Sequence, residues 1–100
     1  MTPKELIELV QRLPNSDHHI YEHEGKHHLT SEWLVGTLAG SSFPCDTLEE
    51  SAQKMIDYLK RHRGHDSIVG RAVTESGFPN LEMVEKYCRA EEVEEDFQSI

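Results

Sequence analysis

The chain has 100 residues, a formal net charge of −9, 36 % hydrophobic and 29 % charged residues. That length holds one domain and one core, and that charge repels phosphate backbones and anionic lipid, which makes nucleic acid and membranes poor partners. No apolar run approaches the roughly 18 residues that span a bilayer, and the opening MTPKELIELV lacks the basic end and cleavage pattern of a signal peptide, so a cytoplasmic protein forming a single domain over 1–100 is expected.

Thr2 is placed as an N-cap, Pro3 at the first helical position and Glu5 at the capping-box spacing. Leu6, Ile7, Leu9, Val10 and Leu13 follow at helical spacing, giving an amphipathic helix that Pro14-Asn15 ends.

Residues 18–30, HHIYEHEGKHHLT, read as a β-hairpin, with Ile20 and Tyr21 in one arm, Leu29 and Thr30 in the other, and Glu24-Gly25 making the reversal. Register decides what its histidines do. A two-residue turn sets Glu22 opposite His27 and Tyr21 opposite His28, whereas a three-residue turn sets His23 opposite His27.

Ser31 is placed as the cap of a short helix through Trp33, Leu34, Val35 and Leu38, closed by Gly40 and the loop SSFPCD. The clearest helix follows. Asp46 or Thr47 caps it, Glu49 and Glu50 occupy its first turn, and Leu48, Ala52, Met55, Ile56 and Leu59 form the buried stripe. It stops on Lys60, Arg61, Arg63 and Gly64, cations and then a left-handed-capable residue.

A short helix from Asp66 to Val73, the loop ESGFPN and a last helix from Leu81 through at least Ala90 complete the chain. The acidic run over about 91–100 lies at the negative end of that helix and is expected to fray. LVGTLAGSSFP (34–44) and IVGRAVTESGFP (68–79) share an aliphatic-Val-Gly start and a Phe-Pro end, so they read as two copies of a short-helix, loop, long-helix unit. The expected fold is α+β and mainly helical: a small bundle of four or five helices with one β-hairpin near residues 18–30.

HEGKH, 23–27, matches H-E-x-x-H letter for letter. It resembles the zincin metallopeptidases over five residues, and the resemblance implies His23 and His27 as zinc ligands, Glu24 as general base and Glu49 or Glu50 as a third ligand. The residues themselves favour a hairpin. Gly25 would cost a helix about 1 kcal/mol relative to alanine, and only Ile20 and Leu29 are at hand to bury such a helix. Five of the twelve residues from Asp17 to His28 are histidine, which makes a two-histidine match cheap. No metal and no cofactor are therefore expected, and a histidine-borne metal site, structural or hydrolytic, is the alternative from another class. Histidines with an ordinary pKa near 6.5 would also add positive charge below about pH 6.

GHDSI, 64–68, resembles the Asp-Ser-aliphatic tripeptide that carries phosphopantetheine in acyl carrier proteins, while Asp66 serves equally well as an N-cap. The paired helices resemble a helix-turn-helix, but their loops exceed its tight turn and the basic cluster KRHRGH sits where C-capping explains it. Cys45 and Cys88 have no C-x-x-C spacing and read as reduced, structural thiols. No nucleophile-base-acid set or phosphate loop can be assembled, so no enzyme is expected.

Trp33, Phe43 and Phe78 are aromatics that no stripe dictates, and they either plug the core or anchor a partner. They are the candidate partner-binding residues. The expected function is non-enzymatic protein binding, by an adaptor, inhibitor or regulatory subunit whose acidic surface complements a basic partner. A DNA-mimic inhibitor is the sharper form, and requires carboxylates at phosphate-like spacing.

Overall fold

The chain opens with α1 (Pro3–Gln11), in a computed structural model that describes residues 1–35, 41–63, 73–74, 79–82 and 84. Its start is the expected capping box: the Glu5 amide donates to Thr2 Oγ1 at 3.2 Å and the Thr2 amide to Glu5 Oε1 at 3.1 Å. Hydrogen bonding to its carboxyl from Thr2, the side chain foremost and then the amide, holds Glu5 below its ordinary pKa. Leu6 and Val10 are buried, and Ile7, Leu9 and Leu13 pack beside them.

After α1 the chain departs from the expected hairpin arm. Asn15 is left-handed (φ 53°), a conformation its short polar side chain tolerates, and it launches a single helical turn, α2 (Ser16–His19). His18 and His19 thus belong to a helix and not to a strand. The first arm, β1 (Ile20–His23), begins where the Ile20 amide closes α2 on the Ser16 carbonyl.

Glu24 (φ 53°) and Gly25 (φ 76°) both take positive φ, the demand of a two-residue turn that matches strand twist. The second arm, β2 (Lys26–Leu29), then pairs antiparallel in the two-residue register, with Tyr21 opposite His28 and Glu22 opposite His27. Residues 41–45 run along the far side of β2 through the isolated pairs Thr30–Ser42 and His27–Cys45.

A short α3 (Glu32–Val35) follows β2, its Leu34 amide bonded to the Ser31 carbonyl. The longest element, α4 (Leu48–His62), begins at Thr47, whose hydroxyl accepts from the Glu50 amide, and runs to Lys60, Arg61 and His62 in its last turn. Its buried face is Ser51, Ala52, Met55, Ile56 and Leu59. α4 packs on α1 and on β2, and Leu29, Trp33 and Leu34 complete the centre of the core. Each fully buried large aliphatic there contributes roughly 1.5–3 kcal/mol.

The described residues form a mixed α+β structure with one two-stranded hairpin and four helices, two of them single turns. Beyond α4, Val73 pairs with Pro79, and Asn80 caps a helical start at Leu81 by accepting from the Glu82 amide. The remainder of the repeat over 68–79, the GHDSI stretch and the acidic run at 91–100 lie outside the described residues.

Candidate interaction surface

Every side-chain position in the hairpin follows from its register. Alternation puts Tyr21, His23, Lys26 and His28 on one face and Ile20, Glu22, His27 and Leu29 on the other. His23 and His27, the two ligands that the zincin resemblance implies, therefore stand on opposite faces and do not converge on one ion. Among the described residues, no group of three or more His, Cys, Asp or Glu side chains is placed to hold a metal.

The Ile20–Leu29 face is the inner one. Leu29 is fully buried and Ile20 packs against the core. The other face is open. There the Tyr21 ring lies parallel to the His28 imidazole, with centroids 4.8 Å apart and planes 10° apart, and His23 meets His28 edge-on at 6.4 Å. Tyr21 is 38 % exposed, one of the large hydrophobic side chains left at the surface. Such cross-strand ring pairs stiffen a short hairpin while keeping one aromatic face available.

Lys26 reaches across to Asp46 and forms an ion pair with it. That hydrogen bond, with the charge attraction behind it, raises the Lys26 pKa and lowers that of Asp46. Lys26 is the one Lys or Arg between residues 13 and 31. With its charge matched by Asp46, the exposed carboxylates of Asp17, Glu22 and Glu24 set the sign of this end of the molecule.

The histidine cluster divides. His23 is 68 % exposed, whereas His19 is 1 % exposed, with its Nδ1 3.1 Å from Glu32 Oε1. The histidines near the hairpin are not alike: one turn of helix swings His19 inward, beside Glu32 of α3. Nothing in the hairpin pattern distinguishes His19 from its neighbours. Ser51 is a second buried polar residue outside the expected apolar stripe, although its position between Leu48 and Met55 falls on the buried face of α4.

The candidate partner-binding aromatics have different fates. Trp33 is fully buried in the core and leaves no area for a partner. Phe43 is half-buried, its ring 5.5 Å from that of Tyr58, and it lines a shallow depression of about 270 Å³ with Lys54, Asp57 and Arg61. Phe78 lies outside the described residues. Cys45 is a free thiol, buried opposite His27, while Cys88 falls outside the described residues. Among the described residues, no helix is long and apolar enough to cross a membrane.

Comparison of the chain with known protein families, with curated proteins and with solved structures gives no match. The reading of the surface therefore rests on its own chemistry.

Proposed function

We propose that the chain is a small acidic protein-binding module, an adaptor, inhibitor or regulatory subunit that engages a basic surface on a protein partner. The observation that carries this reading is charge placement. The net charge is −9, and Glu5, Glu8, Glu22, Glu24, Glu49 and Glu50 all stand on the surface of a folded scaffold. Fixed, like-signed charge on a rigid domain speeds encounter with an opposite surface and rejects like-charged ones, which gives selectivity before any close contact forms. In this reading a helix begun at Asp66 and ended before the Val73–Pro79 pair, and the helix expected from Leu81 to Ala90, complete a small bundle around α4.

Affinity capture from native extract at low and high salt tests it. A basic protein retained at low salt and released at high salt is the expected result. Capture indifferent to salt, or retention of acidic proteins alone, would overturn the reading.

A further inference from the structure

The outer edge of β1 points to a mode of binding. On β2 the His27 amide donates to the Cys45 carbonyl at 2.8 Å and the Leu29 amide donates to Ser51, so its odd-numbered residues face away from β1. The Thr30 amide meanwhile donates to the His19 carbonyl at 2.9 Å. The His19 carbonyl at the end of α2 and residues 21 and 23 of the first arm are thereby turned toward β2, and the backbone groups of Ile20 and Glu22 point outward. Ile20 spends its N–H on the Ser16 carbonyl. What remains is a row of three groups, the Ile20 carbonyl and both the amide and carbonyl of Glu22, for which the described structure holds no partner.

Natural edges of this kind are commonly blunted by lysine, proline or a bulge. β1, of sequence IYEH, has none of these, and its only edge protection is its four-residue length and the charge of Glu22. It carries instead Tyr21, whose ring is backed by His28 on the β2 side, so an incoming strand sets its own side chain beside Tyr21 on the opposite flank. Asp17, Glu22 and Glu24, all exposed, lie within β1 or within three residues of it in the chain, and arginine is the side chain that both stacks on an aromatic face and pairs with carboxylates. A second copy of the chain fits worse. Antiparallel pairing centred on Glu22 sets two carboxylates opposite each other, and a register pairing Ile20 with Glu22 lacks the Ile20 donor.

We propose that the outer edge of β1 is the docking site for an extended, arginine-bearing segment of the partner. That segment adds as a further strand through Ile20 and Glu22 and lays an arginine side chain on Tyr21. This inference rests on the reading of the chain as an acidic binding module and assigns that module a place and a mode.

The probe is a short synthetic peptide alternating arginine with valine, titrated into the full ¹⁵N-labelled chain at low salt. The expected result is a shift and slowed exchange of the Glu22 amide, with the His27 and Leu29 amides unmoved. Glu22→Pro deletes the outward donor together with the carboxylate, and proline is tolerated at such edge positions, so it should weaken binding by about tenfold or more while Tyr21 and His23 keep their hairpin signals. Glu22→Gln keeps the donor and should lose only about two- to threefold, and Tyr21→Ala about fivefold or more. The same peptide with its valines replaced by proline should not bind.

Equal binding by wild type and Glu22→Pro, or equal binding of the proline-containing peptide, overturns edge docking and leaves the acidic-module reading standing. Absence of any binding by the alternating peptide also overturns edge docking, while the salt-dependent capture decides the wider reading separately. A concentration-dependent dimer that Glu22→Pro dissociates would replace the proposed partner with a second copy of the chain.

Discussion

The buried hydroxyl of Ser51 accepts the Leu29 amide at 2.9 Å and donates to the Phe43 carbonyl at 2.5 Å, standing in for a ladder bond between the second hairpin arm and residues 41–45. A direct pair at this point would need the two backbones side by side. Instead α4 inserts a side chain between them and so fixes its own position against the sheet. One hydroxyl holds three segments together.

Ser51→Ala removes that link and leaves a buried N–H and a partly buried C=O without partners. Each such group costs about 1–3 kcal/mol, so the expected loss of stability is roughly 2–4 kcal/mol after partial relaxation. Urea unfolding measures it, and exchange of the Leu29 amide should accelerate beyond what the stability change explains. A midpoint unchanged by the substitution would refute the bridging role.

The histidines should separate sharply. His19→Ala empties a fully buried site and strands the partly buried Glu32 carboxylate, at an expected cost of about 2–4 kcal/mol. Glu32→Gln, which keeps a hydrogen-bonding group, should cost less, about 1 kcal/mol. His23→Ala, at an exposed position, should stay within about 0.5 kcal/mol of wild type. Chemical denaturation of the three variants is the test, and equal effects at positions 19 and 23 would contradict the burial described above.

At the hairpin turn, backbone conformation dominates at both positions, Glu24 having besides it an exposed side-chain contact with His23 at 3.7 Å. A Cβ on Gly25 meets nothing within 4 Å, so Gly25→Ala should cost about 1 kcal/mol through its φ of 76° and not through a clash. Glu24, also at positive φ, is replaceable with profit: Glu24→Asn should raise stability by about 0.5 kcal/mol, because asparagine tolerates the left-handed region and suits this turn. Thermal unfolding of both variants checks the signs, and a destabilised Glu24→Asn would show that the glutamate side chain matters in a way the turn does not reveal.

The features legible in the sequence are the ones that local chemistry decides. Thr2 and Glu5 announce a capping box within four residues, Glu24-Gly25 announces a reversal, and the spacing of Ala52, Met55, Ile56 and Leu59 announces a buried face. His19 and Ser51 escaped because their roles depend on partners far along the chain or on another element: Glu32 for the first, Leu29 and Phe43 for the second. Polar residues in a core usually depend on such a partner, and no periodicity encodes that. The same limit applies to Trp33. Its size suited a core plug better than a partner anchor without excluding the second, and packing encloses it. The open edge of β1 needed a register and a hydrogen-bond phase, both of which follow only once the turn is known to contain two residues.

The exposed pair Lys26–Asp46 predicts a characteristic dependence on pH. Hydrogen bonding to Lys26 lowers the folded-state pKa of Asp46, so its contribution to stability is present above the ordinary aspartate pKa and is lost as pH falls through the lowered value. For Lys26 the sign is opposite: its raised pKa means that the contribution is present below the ordinary lysine value and is lost as pH rises through the raised one. Between those limits the pair is fully formed, so its effect is flat across neutral pH and shrinks with added salt because both groups are exposed. Asp46→Asn should therefore lower the urea midpoint slightly at neutral pH and low salt, and the gap from wild type should close in strong acid, where the wild-type carboxylate is itself protonated. Glu5, lowered by its bonds to Thr2, adds a second loss of the same sign in acid, common to both proteins. Midpoints measured across the acid range at two salt concentrations decide the matter: a gap that persists undiminished in strong acid, or that grows with salt, would exclude an electrostatic origin.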